Sequence, residues 1–193
     1  SLTAFIKSLF IATVIGLVGA GLFIYSGLYP IGADVPHNKL SYWLLETLRE
    51  RSIARAASDI QIPDNLNTSD RLLAGGADYN DMCAGCHLKP GKKESDFTIG
   101  LYPSPPNLTA TADAHEHEHS GGSDDDGNDA AIQRQFWIIK HGIKASGMPA
   151  WGPTHSDERI WNMVAFLQRL PSLTPDQYQI LTARGNTSDS HDH

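Results

Sequence analysis

The stretch that decides the fold is Tyr79-Asn80-Asp81-Met82-Cys83-Ala84-Gly85-Cys86-His87, which holds both cysteines of the 193-residue chain. Cys-x-x-Cys-His is the attachment sequence of c-type haem. Two thiols at this spacing can each form a thioether with one vinyl group of a single porphyrin, and His87 then reaches the iron. A thioredoxin-like redox pair is disfavoured because no βαβ pattern surrounds the motif. A zinc site is disfavoured because no second cysteine pair or spaced histidine pair completes the four ligands. The motif predicts one haem c, covalently held by Cys83 and Cys86.

Haem iron takes two axial ligands, and Met148 is the best candidate for the second. It stands in the Gly/Pro-containing stretch Ala145-Ser146-Gly147-Met148-Pro149, which can hold a side chain out towards a ligand. Met82 adjoins an attachment cysteine, and Met163 belongs to an apolar helical stripe where a core role is expected. His141 and His155 remain alternative iron ligands. His141 is also explained as the C-terminal end of a helix, and His155 as the start of one.

A thioether ligand favours ferrous iron, and two protein ligands leave no open position for oxygen or substrate. The expected function is therefore electron transfer rather than catalysis, by a tethered carrier or by the cytochrome subunit of a respiratory or dehydrogenase complex. No residue is expected to be catalytic. Two alternatives stay open. One is a haem enzyme or gas sensor with a labile sixth ligand, and the other is a metal-handling protein that uses a histidine-rich loop.

Composition narrows the function classes further. Seven acidic residues and no Lys or Arg lie between Asp113 and Asp129, and they account for the whole formal net charge of -7. Without a basic surplus, nucleic-acid binding is disfavoured. Two cysteines are also too few for the disulfide framework of a small secreted domain.

With these residues, roughly Ser69 to Pro171 resembles the class I c-type cytochromes, apart from an insertion. In that family an N-terminal helix ends at the haem motif and a C-terminal helix crosses it. The resemblance implies that Gly76 lies at the crossing, that Tyr79 is the aromatic residue before the motif, and that Trp161 packs on the glycine. The stretch from Ser156 to Leu167 is similar to the last helix, for which Thr154 and Asp157 have capping-box spacing.

The resemblance also implies further cofactor-binding residues. The carbonyl of Pro90 is expected to fix the ring of His87, although a Pro-Gly turn also explains this residue. The loop from Tyr102 to Leu108 is similar to one that lines the haem edge, and the Trp137 indole is expected to bond a propionate. Implied donors are quinol-oxidising complexes or periplasmic dehydrogenases, and implied acceptors are terminal oxidases or reductases.

The N-terminal region predicts a membrane anchor. No charged side chain occurs from Ser8 to Ala33, and about 20 apolar residues in a helix cross the hydrocarbon layer. A cleaved signal peptide is the alternative, but its apolar region is normally shorter. Ala12, Gly16 and Ala20 place small residues on one face where another transmembrane helix could approach.

The segment from Lys39 to Ser58 reads as an amphipathic helix. Its apolar residues and its arginines suggest contact with a lipid surface or a partner subunit, with a solvated spacer as the alternative. The residues concerned are Leu40, Trp43, Leu44, Leu48, Arg49, Arg51 and Arg55.

Residues 112–130 are rich in Asp, Gly, Ser and His and are expected to form a flexible acidic, His-rich insertion at about 110–130. Within it, His115, His117 and His119 alternate with glutamates and form either a solvated loop or a weak metal site.

The sequence therefore predicts an all-α chain in which a class I cytochrome c domain follows one transmembrane helix and an amphipathic helix. The expected segments are 1–33 (anchor), 34–68 (amphipathic helix and linker), 69–171 (cytochrome c domain) and 172–193 (short helix and tail). Thr174 and Pro175 begin that short helix, which is expected to end near Arg184 and Gly185. The expected location is a bacterial inner membrane, with a single pass and the haem domain in the periplasm.

Overall fold

All regular structure in the described part of the chain is helical. A computed structural model describes residues 1–110 and 124–183, and no strand occurs within them. The chain divides into two units, Ser1–Pro36 and His37–His193. The prediction of an all-α protein is confirmed.

The first unit contains one long apolar helix, α1 (Leu2–Ser26), none of whose residues is buried. It ends because Gly27 adopts the left-handed conformation with φ 66°, which glycine reaches without a Cβ penalty. Within the described residues it is the one helix long and apolar enough to cross a membrane. This assignment rests on the length and composition of the helix.

The second unit is organised around the contact between α3 (Ser69–Asp78) and α7 (Asp157–Arg169). The helices approach so closely that a Cβ on Gly75 would lie 1.9 Å from the carbonyl oxygen of Asn162. Only glycine fits there. The closest approach of the two helices is therefore one residue earlier than the expected Gly76. The Cβ position of Gly76 lies 2.6 Å from the Leu181 carbonyl oxygen and 3.1 Å from the Phe166 ring, which also belongs to α7.

Trp161 does not serve as the cap on that glycine either. Its ring stacks on Phe136 of helix α6 (Asp124–His141), with centroids 4.1 Å apart. A large indole gains more buried area against another ring than against a glycine backbone already covered by Asn162. Met163 is 1% exposed in the same core, which confirms its expected packing role.

Helix α7 begins two residues later than the capping-box spacing of Thr154 and Asp157 suggested. The cap is Ser156, whose hydroxyl accepts a hydrogen bond from the Arg159 N–H at 3.3 Å. Thr154 is not the cap, because its hydroxyl is used by the Trp151 carbonyl and His155 Nδ1 in the preceding turn.

Helix α2 (Lys39–Ala57) confirms the predicted helix and is capped by the Asn38 side chain. Ile53 and Ala57 are its buried residues, and the helix packs against α6. Glu50 forms an ion pair with Arg134 of α6 at 2.7 Å.

Helix α6 shortens the expected insertion. Residues 124–130 belong to the helix, because the apolar residues that follow at helical spacing are buried and continue the helix into the core. Residues 111–123 lie outside the described part of the chain. The possible metal ligands His115, His117 and His119 therefore lie outside it as well.

Two short helices complete the unit. Helix α5 covers Asp96–Gly100, and α8 covers Pro175–Thr182. Helix α8 has the expected N-cap, Thr174, in a reciprocal capping box with Gln177. It ends at Thr182, earlier than expected, and residues 184–193, including Arg184 and Gly185, lie outside the described part.

Candidate functional site

The two cysteines lie on consecutive helical segments at the end of α3. A π-helical turn covers Tyr79–Cys83, and a short helix, α4, covers Ala84–His87. Both thiols are free and half-buried. Burial, the negative charge of Asp78 and the neighbouring Cys86 raise the pKa of the Cys83 thiol to about 12. The Cys83 thiol therefore stays protonated while no group is attached to it.

The ring of His87 is already oriented. Its Nδ1 lies 2.9 Å from the carbonyl oxygen of Pro106, so Nδ1 carries the proton in this hydrogen bond and donates it. Desolvation lowers the pKa of His87, although the bond to Pro106 acts in the other direction. A neutral ring with Nδ1–H engaged leaves the Nε2 lone pair available to a metal.

Pro106 therefore takes the part that the sequence assigned to Pro90, and that assignment is wrong. Leu88 directly after the motif has φ 73°, and this left-handed residue turns the chain away from the ring. Pro90 instead lines a surface cavity beside Lys89 and Tyr178. The loop that contains Pro106 returns to His87 because the Leu108 N–H donates to the His87 carbonyl at 3.3 Å.

Tyr79 holds the backbone on the other side of His87. It is 1% exposed, and its hydroxyl donates to the carbonyl of Leu88 at 2.8 Å and lies 3.2 Å from that of His87. Sequence reasoning identified the aromatic ring but missed the hydroxyl. A tyrosine eight residues before the motif histidine was the available signal.

The loop from Leu101 to Leu108 connects the two expected axial ligands. At one end Leu108 bonds to the His87 carbonyl, and at the other the Leu101 side chain lies 2.8 to 3.4 Å from the Cβ position of Gly147, next to Met148. The structure therefore brings this loop to both sites.

The other expected loop residue, Tyr102, has a partner within the protein. Its hydroxyl accepts a hydrogen bond from the His37 N–H at 3.2 Å, and the two rings meet edge to face.

Met148 lies in a loop closed by its own hydrogen bonds. The Ser146 hydroxyl donates to the Ile143 carbonyl at 2.8 Å and accepts from the Met148 N–H at 3.1 Å. The Ile143 N–H in turn donates to the Met148 carbonyl at 3.1 Å. Both backbone groups of Met148 are thus fixed, while its half-buried side chain packs beside the core.

This loop is docked against the end of α6. Gly142, with φ 64°, follows the helix, and its Cβ position lies 2.7 Å from the Ala150 nitrogen, so a side chain would collide with the loop. The Trp151 N–H also donates to the Ile139 carbonyl at 3.1 Å. The position of Met148 is therefore set by the helix end.

The rival ligands are engaged elsewhere. His141 is exposed at the end of α6, and its ring lies 4.9 Å from that of Trp137. His155 shares a 2.8 Å hydrogen bond with the Thr154 hydroxyl and contacts the ring of Trp151. Within residues 1–110 and 124–183, no three His, Cys, Asp or Glu side chains lie together as a metal site.

These residues fit a haem. His87 offers a free Nε2, two thiols stand beside it, and a methionine lies in a loop tied to the same connecting segment. Apolar surface also lies next to the motif, since the Phe97 ring is 3.8 Å from the Cβ position of Gly85 and is 57% exposed. An apolar porphyrin face would cover such side chains favourably.

Comparison with known proteins gives one match. Residues 70–167 match the family model described as "Cytochrome C oxidase, cbb3-type, subunit III". No curated protein and no solved structure matches the chain.

Proposed function

The chain belongs to the family described as cytochrome c oxidase, cbb3-type, subunit III, a c-type cytochrome family, and from that premise we propose a membrane-anchored, single-haem electron carrier. Membership implies electron transfer and haem binding. The proposal adds covalent attachment through Cys83 and Cys86, axial ligation by His87 and Met148, and an anchor in α1. The chain would act either as a tethered carrier or as the cytochrome subunit of a respiratory or dehydrogenase complex.

One observation carries the proposal: the Nδ1 of His87 is held by the Pro106 carbonyl at 2.9 Å beside two free thiols. A redox-active cysteine pair has no need of a histidine fixed in this way. A zinc ion would use one, but Cys83, Cys86 and His87 do not come together as a metal site in the part of the chain that the structure describes. An iron ligand does need this fixation, because the hydrogen bond sets both the tautomer and the ring direction.

The bound haem would supply the redox chemistry, taking up and releasing one electron. The protein's residues hold and tune it. Pro106 and Tyr79 fix His87 from its ring and its backbone, and the hydrogen-bonded loop presents the thioether of Met148. Ligation by both His87 and Met148 would exclude small molecules from the metal, and the thioether ligand would raise the reduction potential.

The membrane part of the proposal is supported by the length and composition of α1, which has 25 residues and no buried side chain. A helix of this length exceeds the approximately 20 residues needed to cross the hydrocarbon layer. The haem domain would then lie in the periplasm of a bacterial inner membrane, where partners would be redox proteins that donate and accept single electrons.

The test uses the full chain produced in cells that attach haem to c-type cytochromes. The expected result is a red protein whose mass under denaturing conditions exceeds that of the polypeptide by one haem. When reduced, it should not bind carbon monoxide rapidly. The Cys83→Ala/Cys86→Ala variant should lose the covalent haem. A colourless protein would refute haem attachment, and fast carbon monoxide binding would refute ligation by Met148.

The anchor is tested separately by membrane extraction. The full chain should stay with the membrane fraction in high salt and at alkaline pH and be released by detergent. Release by salt alone would refute a transmembrane anchor while leaving haem attachment untouched.

A further inference from the structure

Helix α2 carries large apolar side chains on the side that faces away from the His37–His193 unit. Leu40 is 72% exposed, Trp43 61%, Leu44 57% and Leu48 66%. Spacings of three and four residues put these side chains on one side of the helix, together with Thr47, Arg51 and Arg55 further along. We call these seven residues the outer face.

The opposite side of α2 is covered by its own unit along its C-terminal half, whereas Tyr42 and Leu45 near the N-terminus of the helix are 47% and 49% exposed. Ile53 is 2% exposed and Ala57 is 3% exposed, and Glu50 reaches Arg134 on α6. The helix thus has two apolar sides, of which its own unit covers one. Burying one leucine stabilises by about 1.5 to 3 kcal/mol, so four exposed large side chains represent a substantial uncovered surface.

The charges of α2 are segregated in the same way. Its two acidic residues, Glu46 and Glu50, form ion pairs with Arg49, and Glu50 also pairs with Arg134. The side chains of Arg51 and Arg55 are exposed and form no ion pair with any other described residue. The outer face is therefore apolar at its N-terminal end and positively charged at its C-terminal end.

We propose that the outer face of α2 docks on the anionic phospholipid surface of the bilayer that α1 crosses. The inference rests on the proposed anchor. An anionic bilayer surface supplies both an apolar layer for Trp43 and the leucines and phosphates for Arg51 and Arg55. The outer face contains no carboxylate, so the same face of a second copy would offer the arginines no counter-charge.

Chain length permits this contact. Twelve residues, 27–38, separate the end of α1 from the start of α2. Fully extended, they span at most about 40 Å. Because α2 also packs against α6, docking would hold the haem-binding unit at the bilayer by a second contact.

The experiment places a nitroxide label on each side of the helix in the full-chain, haem-loaded protein. With both native cysteines bound to haem, a new cysteine is the single reactive thiol. Thr47→Cys labels the outer face without removing a leucine or an arginine. Ala56→Cys is the matched control, because it is also exposed but lies two and a half turns further along, on the opposite side of the helix.

The labelled proteins are reconstituted in vesicles of phosphatidylcholine alone or with 30% phosphatidylglycerol. Relaxation by oxygen and by a polar nickel complex reports whether the label lies in lipid or in water. In anionic vesicles the ratio of oxygen to nickel accessibility should rise several-fold at position 47 relative to position 56. Arg51→Gln/Arg55→Gln should reduce the rise, because each arginine near an anionic surface contributes about a fivefold preference.

Three outcomes would overturn the docking. These are equal ratios at the two positions, dipolar broadening at position 47 that reveals a second copy, and loss of access to both reagents, which indicates burial against a protein. Flotation of the vesicles in high salt reports the anchor independently. Protein that fails to float refutes α1 as an anchor, whereas protein that floats with a water-exposed label refutes only the docking.

Discussion

His87 and Met148, the two proposed axial ligands, are held in different ways. His87 is the last residue of helix α4 and is fixed by residues outside that helix, since the Pro106 carbonyl holds its ring and the buried Tyr79 holds its backbone. Met148 lies in a loop whose bonds to Ser146 and Ile143 are local.

The two ligands should therefore lose their restraints under different conditions. The backbone restraint on the histidine side should fail only when the core fails, because it comes from the buried Tyr79, whereas Pro106, which holds the ring, is exposed. The methionine side should loosen without unfolding. The loop as a whole is docked on the end of α6, but the hydrogen bonds to Met148 itself come from neighbours in the same loop. Each prediction below tests one side against the other.

The largest effect is expected at Gly75, in the helix contact beneath the histidine side. Gly75→Ala puts a Cβ 1.9 Å from the Asn162 carbonyl oxygen, a collision that backbone must absorb. The free energy of unfolding should fall by about 3 kcal/mol or more, with little holoprotein recovered. Denaturant unfolding followed by circular dichroism measures this.

Gly100→Ala is the control, because no atom lies within 4 Å of its Cβ position. Similar stability of the two variants would show that α3 and α7 do not depend on that close approach.

Met148→Ala should remove the sixth ligand while leaving the fold and the covalent haem in place. The reduced protein should then bind carbon monoxide rapidly, and its potential should fall by roughly 0.1 V or more. Optical spectra and potentiometric titration measure both changes. Met82→Leu, which alters a half-buried methionine near the core, is the control. An unchanged spectrum of Met148→Ala would remove this residue from the iron.

Tyr79→Phe tests the backbone restraint on the histidine side. The variant leaves the Leu88 carbonyl without its 2.8 Å hydrogen bond in a buried site, which should cost about 1 to 3 kcal/mol of stability. In Tyr178→Phe the loss should be smaller, since Asn80 Oδ1 keeps its bond from Lys89. Equal losses measured by denaturant unfolding would contradict a special role for the Tyr79 hydroxyl.

Ser146→Ala should loosen the methionine loop alone. It removes one donor and one acceptor from the loop and is expected to weaken the ligand by about 1 kcal/mol. Added imidazole should then displace Met148 at about a fivefold lower concentration, with the unfolding midpoint nearly unchanged. Ser172→Ala, whose hydroxyl bonds Arg169 elsewhere, should behave like the native protein. Identical imidazole titrations would show that Ser146 does not restrain the ligand.

The smallest effect is expected at His155, which contacts Trp151 near the methionine loop. Desolvation and the charge of Arg159 lower the pKa of His155, so the folded protein binds this proton less readily than the unfolded chain. Stability should therefore fall as the pH drops below about 6.5, and His155→Gln should remove about a few tenths of a kcal/mol of that fall. Free energies of unfolding at pH 8 and pH 5.5 measure it. Parallel curves would refute the contribution.

Sequence reasoning predicted the helices best where a local signal was strong. The apolar spacing gave α2 and α7, and Thr174 with Pro175 gave the start of α8. The N-cap of α7 and the crossing glycine were each misplaced. Both depend on which backbone atoms approach from elsewhere, and local spacing does not contain that information.

The candidate site divides in the same way. Cys83, Cys86 and His87 were identified from their spacing, and Met148 from its loop. Attachment of the porphyrin by the cysteines and binding of iron by His87 and Met148 stay predictions. The Pro106 carbonyl was missed in favour of Pro90. Choosing between two prolines requires the path of the chain after Leu88, whose left-handed conformation no neighbouring residue signals.

The sequence by itself determined which cofactor the motif can hold, because the proposed thioether attachment and the adjacent histidine ligand depend on spacing within five residues of the chain. Only the tertiary structure decided how the histidine is held, since the carbonyl at its ring lies 19 residues along the chain. It also showed that one apolar side of α2 is buried against its own unit and that the other is exposed. A hydrogen bond or a packed face needs two distant segments to meet, and that meeting is a property of the fold.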